Sequence, residues 1–154
     1  MAANKENSRK IISTNKDARF RYFISDTYEA GIALLGTEVK ALRAAKVQMS
    51  DAYVYIQGGE AFLSNMHIGE YSHGNRENHA PMRTRKLLLH KEELTKIAAA
   101  LEEKGLTIVP TQMYFLKGKA KIEIGVGKGK KLHDKRQSIK EKESKREMDR
   151  SRKR

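Results

Sequence analysis

Three histidines, His67, His73 and His79, recur in a polar part of the sequence and suggest the acid and base groups of a nuclease. Histidine exchanges protons near neutral pH, as general acid–base catalysis requires. However, the sequence lacks the signature motifs of P-loop nucleotide hydrolases, serine hydrolases and zinc proteases. Single histidines in polar segments are usually surface residues. The sequence therefore predicts a protein that is not an enzyme and has no catalytic residues, with a small nuclease as the minor alternative.

No metal or cofactor site is predicted either. The chain of 154 residues contains no cysteine, which excludes disulfides, zinc–thiolate sites and cysteine nucleophiles. The glycine-rich segment 125–130, GVGKGK, lacks the Lys-Ser/Thr ending of a phosphate-binding loop and leads into a polar tail. We interpret this segment as a hinge.

The basic residues predict a binding site for a polyanion. The formal net charge is +13, from 32 Lys and Arg against 19 Asp and Glu, and a field of this sign favours nucleic acid. Arginine forks onto phosphates, and asparagine hydrogen-bonds to the exposed base edges of unpaired RNA. The candidate RNA-binding residues chosen on this basis are Lys40, Arg43, Asn75, Asn78, Arg83, Arg85 and Lys86. The competing interpretation of each stretch is an ordinary solvated basic surface.

Other partners are less favoured by the sequence. No helix–turn pattern typical of a recognition helix for double-stranded DNA is present. No apolar run approaches the ~20 residues of a membrane span, and no segment has the broad apolar face of an interfacial helix. The charged N-terminus lacks the apolar region of a signal peptide, so we expect no membrane partner and a cytoplasmic location.

The first half of the chain predicts strands around one short helix. Alternation of apolar and polar residues over 20–34 predicts one long strand that bends near Gly31. A helix is predicted over 37–45, capped by the hydroxyl of Thr37, with Lys40, Arg43 and Lys46 on one face. Two β-rich runs, 52–57 and 60–67, flank two glycines and predict a hairpin, followed by a long exposed loop over 68–84.

The second half predicts a helix over 91–104, ended by Gly105, and two strands over 106–116 and 120–126. Pro110 predicts a bulge or a sheet edge in the first of these strands. Five strands with a helix between the third and fourth match the oligonucleotide-binding fold, a small Greek-key β-barrel with flanking helices. A different α+β meander stays open, because strand pairing is not visible in sequence.

The composition changes at the two ends of this predicted barrel. Residues 128–154 hold 13 Lys and Arg but 5 Asp and Glu, and few apolar residues. Such a segment cannot offset an ordering cost of ~1–2 kcal/mol per residue, so it is predicted to be disordered alone. It is rich in helix-forming residues, so it can fold on a template. Residues 1–17 are also predicted to be flexible, which leaves 18–127 as the RNA-binding domain.

Three long stretches carry a resemblance to a known family: GTEVKALRAAKVQMSDAYV, GNRENHAPMRTRKLLLHKEEL and VGKGKKLHDKRQSIKEKESKRE. They resemble the signature stretches of the small protein B family, the SsrA-binding proteins, and occur in the same order. The resemblance spans roughly 12–150. It implies an adaptor of bacterial trans-translation whose barrel grips the tRNA-like domain of transfer-messenger RNA. It also implies action on stalled ribosomes, as a monomer in a one-to-one complex with the RNA.

The resemblance also implies roles for particular residues. The implied RNA contacts are Asn15, Glu29, Arg85, Lys86, Leu87 and Leu88. The tail is expected to enter the vacant mRNA channel, fold there as a helix and contact small-subunit ribosomal RNA at the decoding centre. The tail residues implied in this role are Gly129, Lys130, Lys131, His133, Asp134, Lys135, Arg136, Ile139 and Met148. The alternative left open is a general ribosomal protein or RNA chaperone whose polycationic tail binds phosphate nonspecifically.

Overall fold

A large antiparallel sheet organises the computed structural model, which describes residues 9–72 and 78–152. In chain order, its elements are β1 (Lys10–Thr14), α1 (Lys16–Arg21), β2 (Tyr22–Ile32), α2 (Gly36–Arg43), β3 (Val47–Gln48), β4 (Tyr53–Gln57), β5 (Glu60–Ser64), β6 (His67–Ile68), β7 (Arg85–Leu88), α3 (Lys91–Glu102), β8 (Leu106–Leu116), β9 (Lys119–Gly129) and α4 (Leu132–Arg152). The large sheet has the order β1-β8-β4-β5-β7-β2-β9, and β9 also pairs with β8. The strands therefore nearly close into a ring.

The core fills the inside of this ring. Successive side chains of a strand point to opposite faces, so every second residue of each long strand is directed inward. The buried side chains of the strands include Val54, Leu63, Leu87, Ile108, Ile122 and Ile124. The helices add Leu42 from α2 and Ile97 from α3. The resulting architecture is mixed α/β.

Several local predictions are confirmed. The hairpin β4–β5 turns at Gly58 and Gly59, whose φ angles of 59° and 76° are those of a primed turn. The pairing of β8 with β9 shifts register between Pro110 and Gln112, as the proline predicted. The helices α2 and α3 form close to their predicted ranges, and Gly105 follows α3 with a φ of 86°.

The long alternating strand forms as β2, but its start and its irregularity differ from the prediction. Residues 16–21 form α1 rather than the beginning of the strand. The pairing of β2 with β9 shifts register between Ile24 and Thr27, upstream of Gly31. At Gly31 the strand instead packs closely on β7, where an added Cβ would lie 3.2 Å from the Cβ of Leu88.

The flexible N-terminal segment predicted over 1–17 is wrong for the part that the structure describes. Residues Lys10–Thr14 form β1, which pairs antiparallel with β8 and ends the sheet. The polar composition of residues 1–17 suggested flexibility, but β1 gains its order from pairing with β8 and from the packing of Ile12 against the core. The short strands β3, β6 and β7 were also missed, because pairing with distant partners creates them. Residues 1–8 lie outside the described ranges.

The prediction that the C-terminal tail is disordered alone is also wrong, because residues Leu132–Arg152 form the helix α4. At its start, Asp134 Oδ2 accepts a hydrogen bond from the backbone N–H of Lys131 at 3.2 Å. Lys130 Nζ donates to Ser138 Oγ at 2.9 Å, which ties the first turns to the end of β9. The helix formers of this segment therefore suffice for a helix that is exposed beyond its first turns.

The predicted glycine hinge is wrong too, since Gly125, Gly127 and Gly129 lie within β9. A Cβ on Gly125 would lie 2.7 Å from Ile24 Cγ2, and a Cβ on Gly127 would lie 2.8 Å from Tyr22 Cβ. The glycines therefore let β2 side chains pack directly on the β9 backbone. Within residues 9–72 and 78–152, no helix combines the length and apolarity that crossing a membrane would need.

Candidate nucleic-acid interface

Strand β7 divides the predicted cluster of RNA contacts between two faces of the sheet. Arg85 and Leu87 are buried, whereas Lys86 and Leu88 are exposed. The side chains of Arg85 and Leu87 are thus withdrawn from the surface of the protein. The RNA contacts predicted at Arg85 and Leu87 stay predictions, and within β7 Lys86 and Leu88 are the residues exposed to a ligand.

Each of the three guanidinium nitrogens of Arg85 donates a hydrogen bond within the protein. Its Nε donates to Glu38 Oε2 at 2.5 Å, its Nη1 to the carbonyl of Met66 at 2.6 Å, and its Nη2 to the carbonyl of Pro81 at 3.1 Å. Burial lowers the pKa of Arg85, and the neighbouring carboxylate of Glu38 opposes that shift. Arg85 thus ties α2 to β7 and to the loop before it.

Glu38 is the buried centre of this network. Its Oε1 accepts hydrogen bonds from Arg83 Nη2 at 2.5 Å and from the backbone N–H of Leu35 at 2.9 Å. Burial alone raises the pKa of Glu38, but the hydrogen bonds from Arg83, from the Leu35 N–H and from Arg85 hold it below its ordinary value. Arg83 also donates to the carbonyl of Ala33 at 3.2 Å, and its side chain is partly exposed. Arg83 can therefore reach a ligand while it stays anchored.

Asn15 is buried at the junction of β1 and α1. Its Nδ2 donates to the carbonyls of Pro110 at 2.8 Å and Met49 at 3.2 Å, and its backbone N–H donates to the carbonyl of Thr111 at 2.8 Å. The side-chain nitrogen of Asn15 is thereby committed to the protein. Asn15 braces the start of α1 against β8. The RNA contact that the resemblance implies for Asn15 stays a prediction.

Asn78 has a similar bracing task. Its side-chain amide pairs with the backbone of Tyr71, accepting from the N–H at 3.0 Å and donating to the carbonyl at 2.6 Å. This pair holds the two ends of the loop together. The prediction for Asn75 lies outside the described residues, as does that for His73.

His79 is buried and hydrogen-bonded through both ring nitrogens. A carbonyl oxygen only accepts, so Nε2 donates to the carbonyl of Ile68 at 2.9 Å, and Nδ1 lies 2.9 Å from the hydroxyl of Thr37. Thr37 therefore contacts the loop through His79 and does not cap α2. The helix begins one residue earlier, at Gly36, and the carboxylate of Glu38 accepts a hydrogen bond from the backbone N–H of Leu35 at its start. Within residues 9–72 and 78–152, no cluster of three potential metal ligands occurs.

Glu29 lies in a polar cluster on the large sheet. It faces Glu123 across the β2–β9 pairing, and two like charges in that position repel each other. Arg9 lies 3.8 Å from Glu29 and 3.7 Å from Glu123, Tyr114 donates its hydroxyl to Glu29, and Thr111 donates to Glu123 at 2.7 Å. Burial, and then the carboxylate of Glu29, raise the pKa of Tyr114. Glu29 is braced but exposed, so it can accept from a base.

The exposed cations of α2 point away from the core. Lys40 lies with its Nζ 5.2 Å from the centre of the Tyr71 ring, and Arg43 is exposed at the end of the helix. The predicted third member of this face, Lys46, lies beyond the helix, because the chain turns at Ala45 with a φ of 57°. Lys40 and Arg43 therefore share the helix, and Lys46 does not.

An aromatic strip on the outer face of β4 and β5 escaped the sequence predictions. The rings of Tyr55 and Phe62 stack with centres 5.5 Å apart, and Tyr53 lies 6.3 Å from Tyr55. Lys86 is the register partner of Phe62 on β7. Tyr53 is exposed, and Tyr55 and Phe62 are half-buried. Accessible rings beside a cation are surfaces on which unpaired bases stack. The sequence did contain a signal for this strip, because Tyr55 and Phe62 are paired across the predicted two-glycine hairpin.

The tail residues begin where β9 ends. Gly129 closes the strand, and Lys130 contacts Phe23, with Nζ 5.0 Å from the ring centre. Asp134 and Lys135 are half-buried in the first turn of α4. The remaining predicted tail residues are exposed, namely Lys131, His133, Arg136, Ile139 and Met148.

Comparison with known proteins identifies the family. The family described as SmpB protein matches residues 12–154. The chain belongs to the SmpB family. The SsrA-binding protein of Syntrophotalea carbinolica is 56% identical over 142 residues, which cover 92% of this chain and 95% of that protein. The SsrA-binding protein of Lactobacillus helveticus is 54% identical over 144 residues, which cover 94% of this chain and 95% of that protein.

A solved structure supports the same assignment to the SmpB family. It is described as "tmRNA-SmpB: a journey to the center of the bacterial ribosome", and the similar chain is 48% identical to this one. The superposition has a TM-score of 0.67 and covers 78% of this chain and 85% of that one. The family match spans the barrel and α4 together, so it includes every candidate residue named above.

Proposed function

We infer that this protein is a non-enzymatic adaptor of trans-translation that binds SsrA RNA, also called transfer-messenger RNA, and acts with it on bacterial ribosomes. The observation that carries this conclusion is an identity of 56% and 54% to two SsrA-binding proteins, over more than nine tenths of each chain. The net charge of +13 suits a partner made of RNA. Because ribosomes are cytoplasmic, we place the protein in the cytoplasm.

We propose that the barrel, an oligonucleotide-binding-type Greek-key barrel, grips the tRNA-like domain of this RNA as a monomer in a one-to-one complex. Exposure divides the candidate residues into two groups. The proposed direct contacts are the exposed or partly exposed residues Glu29, Lys40, Arg43, Arg83, Lys86 and Leu88. The proposed supporting residues are Asn15, Asn78, Arg85 and Leu87.

We propose that α4 serves as the ribosome-contacting tail. Beyond its base the helix is exposed and rich in Lys and Arg, which suits a segment that lies in a channel lined by ribosomal RNA. The proposed boundary between barrel and tail lies after Lys131, because Gly129 still pairs with Tyr22 and the backbone N–H of Lys130 donates to the carbonyl of Arg21 at 2.8 Å.

A binding titration of the full chain tests the proposed function. The RNA would be the isolated tRNA-like domain of SsrA RNA, with ordinary tRNA as competitor, at a low and a high salt concentration. We expect a preference for the SsrA domain that persists at high salt, since specific contacts add to phosphate contacts. Weak, equally salt-sensitive binding to both RNAs would support a nonspecific polycation and contradict the proposal.

A second experiment tests the role of the tail. Asp134→Ala combined with Lys135→Ala should leave binding to the isolated RNA unchanged but abolish tagging on stalled ribosomes in a reconstituted translation system. The matched control is Glu141→Ala with Lys142→Ala, which changes the same charges about two turns further along α4 and should keep tagging. Loss of RNA binding in the first variant would refute the proposed division of tasks.

A further inference from the structure

We propose that a cleft beside β1 binds one unpaired nucleotide of SsrA RNA, with its phosphate held by three cations and its base lying on an apolar floor. This inference rests on the proposed function and names one place where the barrel holds the RNA. The cleft lies between β1, the end of α2 and the turn that joins β8 to β9. Its principal lining residues are Lys10, Ile11, Ile12, Arg43, Phe115 and Lys117.

The size of the cleft suits a ligand of this kind. Its volume is about 390 Å³. Pockets for small ligands are typically ~300–1,000 Å³, so the cleft lies at the lower end of that range. One nucleotide fits such a volume, whereas a stretch of double helix does not enter it.

The charges of the cleft are free to bind an anion. Lys10, Arg43 and Lys117 come from three separate parts of the fold, and none of the described residues that line the cleft is Asp or Glu. In the part of the chain that the structure describes, none of these three cations forms an ion pair. Other cations of the barrel, such as Arg9 and Arg85, are paired with carboxylates. The unpaired positive charge in the cleft is therefore available to a phosphate.

The floor of the cleft favours a nucleotide over a bare phosphate. Ile12 and Phe115 both line the cleft and are half-buried. Phe115 is the register partner of Lys10, so an apolar surface and a cation adjoin each other across the β1–β8 pairing. Unpaired bases stack on apolar and aromatic side chains, while a phosphate alone gains nothing from them.

The cleft is also held in place by its surroundings. Lys117 and Gly118 form the two-residue turn between β8 and β9, with φ angles of 52° and 78°. A primed turn of this kind fixes the direction of the lysine relative to both strands. On the opposite side, β1 is the last strand of its sheet, so no further strand of that sheet covers its outer edge. The ligand would thus meet a preformed site.

A titration of the full chain, followed by NMR, tests the chemistry of the site. Adenosine 5′-monophosphate should shift the amide signals of Ile12 and Gly118 in a saturable way. Inorganic phosphate and a tri-aspartate peptide should shift them several-fold less at equal concentration. The variant Arg43→Gln with Lys117→Gln should lose the response. The control Lys91→Gln with Lys104→Gln makes the same charge change on and beside α3 and should keep it.

Three results of this titration would overturn the inference. If inorganic phosphate shifts the signals as much as the nucleotide does, the base does not contribute to binding. If tri-aspartate shifts them as much, the cleft binds acidic peptide. If the nucleotide causes no saturable shift, the cleft is not a nucleotide-binding site. In that last case, unchanged affinity of the full chain for the SsrA domain would leave the proposed function intact, whereas absence of RNA binding would refute both.

A crosslinking experiment identifies the RNA that supplies the nucleotide. A photoreactive benzoylphenylalanine in place of Ile11 should crosslink to one unpaired nucleotide of the isolated SsrA domain. The Arg43→Gln, Lys117→Gln variant should bind that domain at least about tenfold more weakly, as expected for lost hydrogen bonds to a charged group. Crosslinks that form with ribosomes alone, and not with the SsrA domain, would overturn the assignment to SsrA RNA.

Discussion

Removing the buried carboxylate of Glu38 should destabilise the protein far more than removing an exposed one. Glu38→Gln keeps the shape of the side chain but leaves the charges of Arg83 and Arg85 without their counter-ion, and Arg85 has no exposed surface. Removing one partner of a buried ion pair costs about 3–5 kcal/mol. Domains of this kind are stable by about 5–15 kcal/mol, so the variant should lose a large part of its free energy of unfolding.

Urea unfolding measures this loss. The near-ultraviolet circular dichroism of the tyrosines reports the packing of the barrel, because α4 contains no tyrosine. The control is Glu60→Gln, which removes the exposed ion pair with Lys86 and should cost at most about 1 kcal/mol. If Glu38→Gln also lies within about 1 kcal/mol of the wild type, the argument from buried charge is refuted.

The pH dependence gives a second test of the same argument. The pKa of Glu38 in the folded state lies below its ordinary value of 4.5, so between these two values the unfolded state binds more protons. The stabilisation by the carboxylate is therefore complete above pH 4.5 and is lost as the pH falls through the lowered pKa. The stability difference between wild type and Glu38→Gln should shrink on acidification. A constant difference would contradict the assignment.

Three further predictions concern packing, titration and local opening. Gly127→Ala should cost about 1–3 kcal/mol in urea unfolding because of the close contact with β2, whereas Gly129→Ala, which meets open space, should be neutral. Tyr114→Phe should leave the amplitude of the tyrosine absorbance titration near pH ~10 unchanged, since burial raises the pKa of Tyr114; a smaller amplitude would contradict this. Backbone amides of residues 139–150 should exchange hydrogen with solvent faster than those of β9, because an exposed helix opens locally. Equal protection of the two segments would contradict the exposed position of α4.

Patterns confined to short stretches of sequence were sufficient for much of the fold. Two adjacent glycines between β-rich runs determined the β4–β5 hairpin, and Pro110 determined the bulge in β8. The apolar spacing and the final Gly105 determined α3. Conformational preferences of this kind depend on neighbours along the chain, so they survive without knowledge of the tertiary structure. The three signature stretches likewise sufficed for the family.

The tertiary structure decided which candidate residues face solvent. Arg85 and Lys86 are adjacent and chemically alike, yet one is buried against Glu38 and the other is exposed, because the pairing of β7 with β5 sets the register. The resemblance implied an RNA contact at Asn15, and the histidines suggested a nuclease. In the fold, backbone carbonyls accept hydrogen bonds from the side-chain nitrogens of both Asn15 and His79.

By itself, the sequence determined the charge of the protein, its family, and most of its long strands and helices. The near-closure of the sheet, the ordering of β1 and the cleft between Lys10, Arg43 and Lys117 were decided by tertiary structure. The physical reason is that these features depend on pairing register and on the desolvation of groups far apart in the chain. Local preferences carry no information about either.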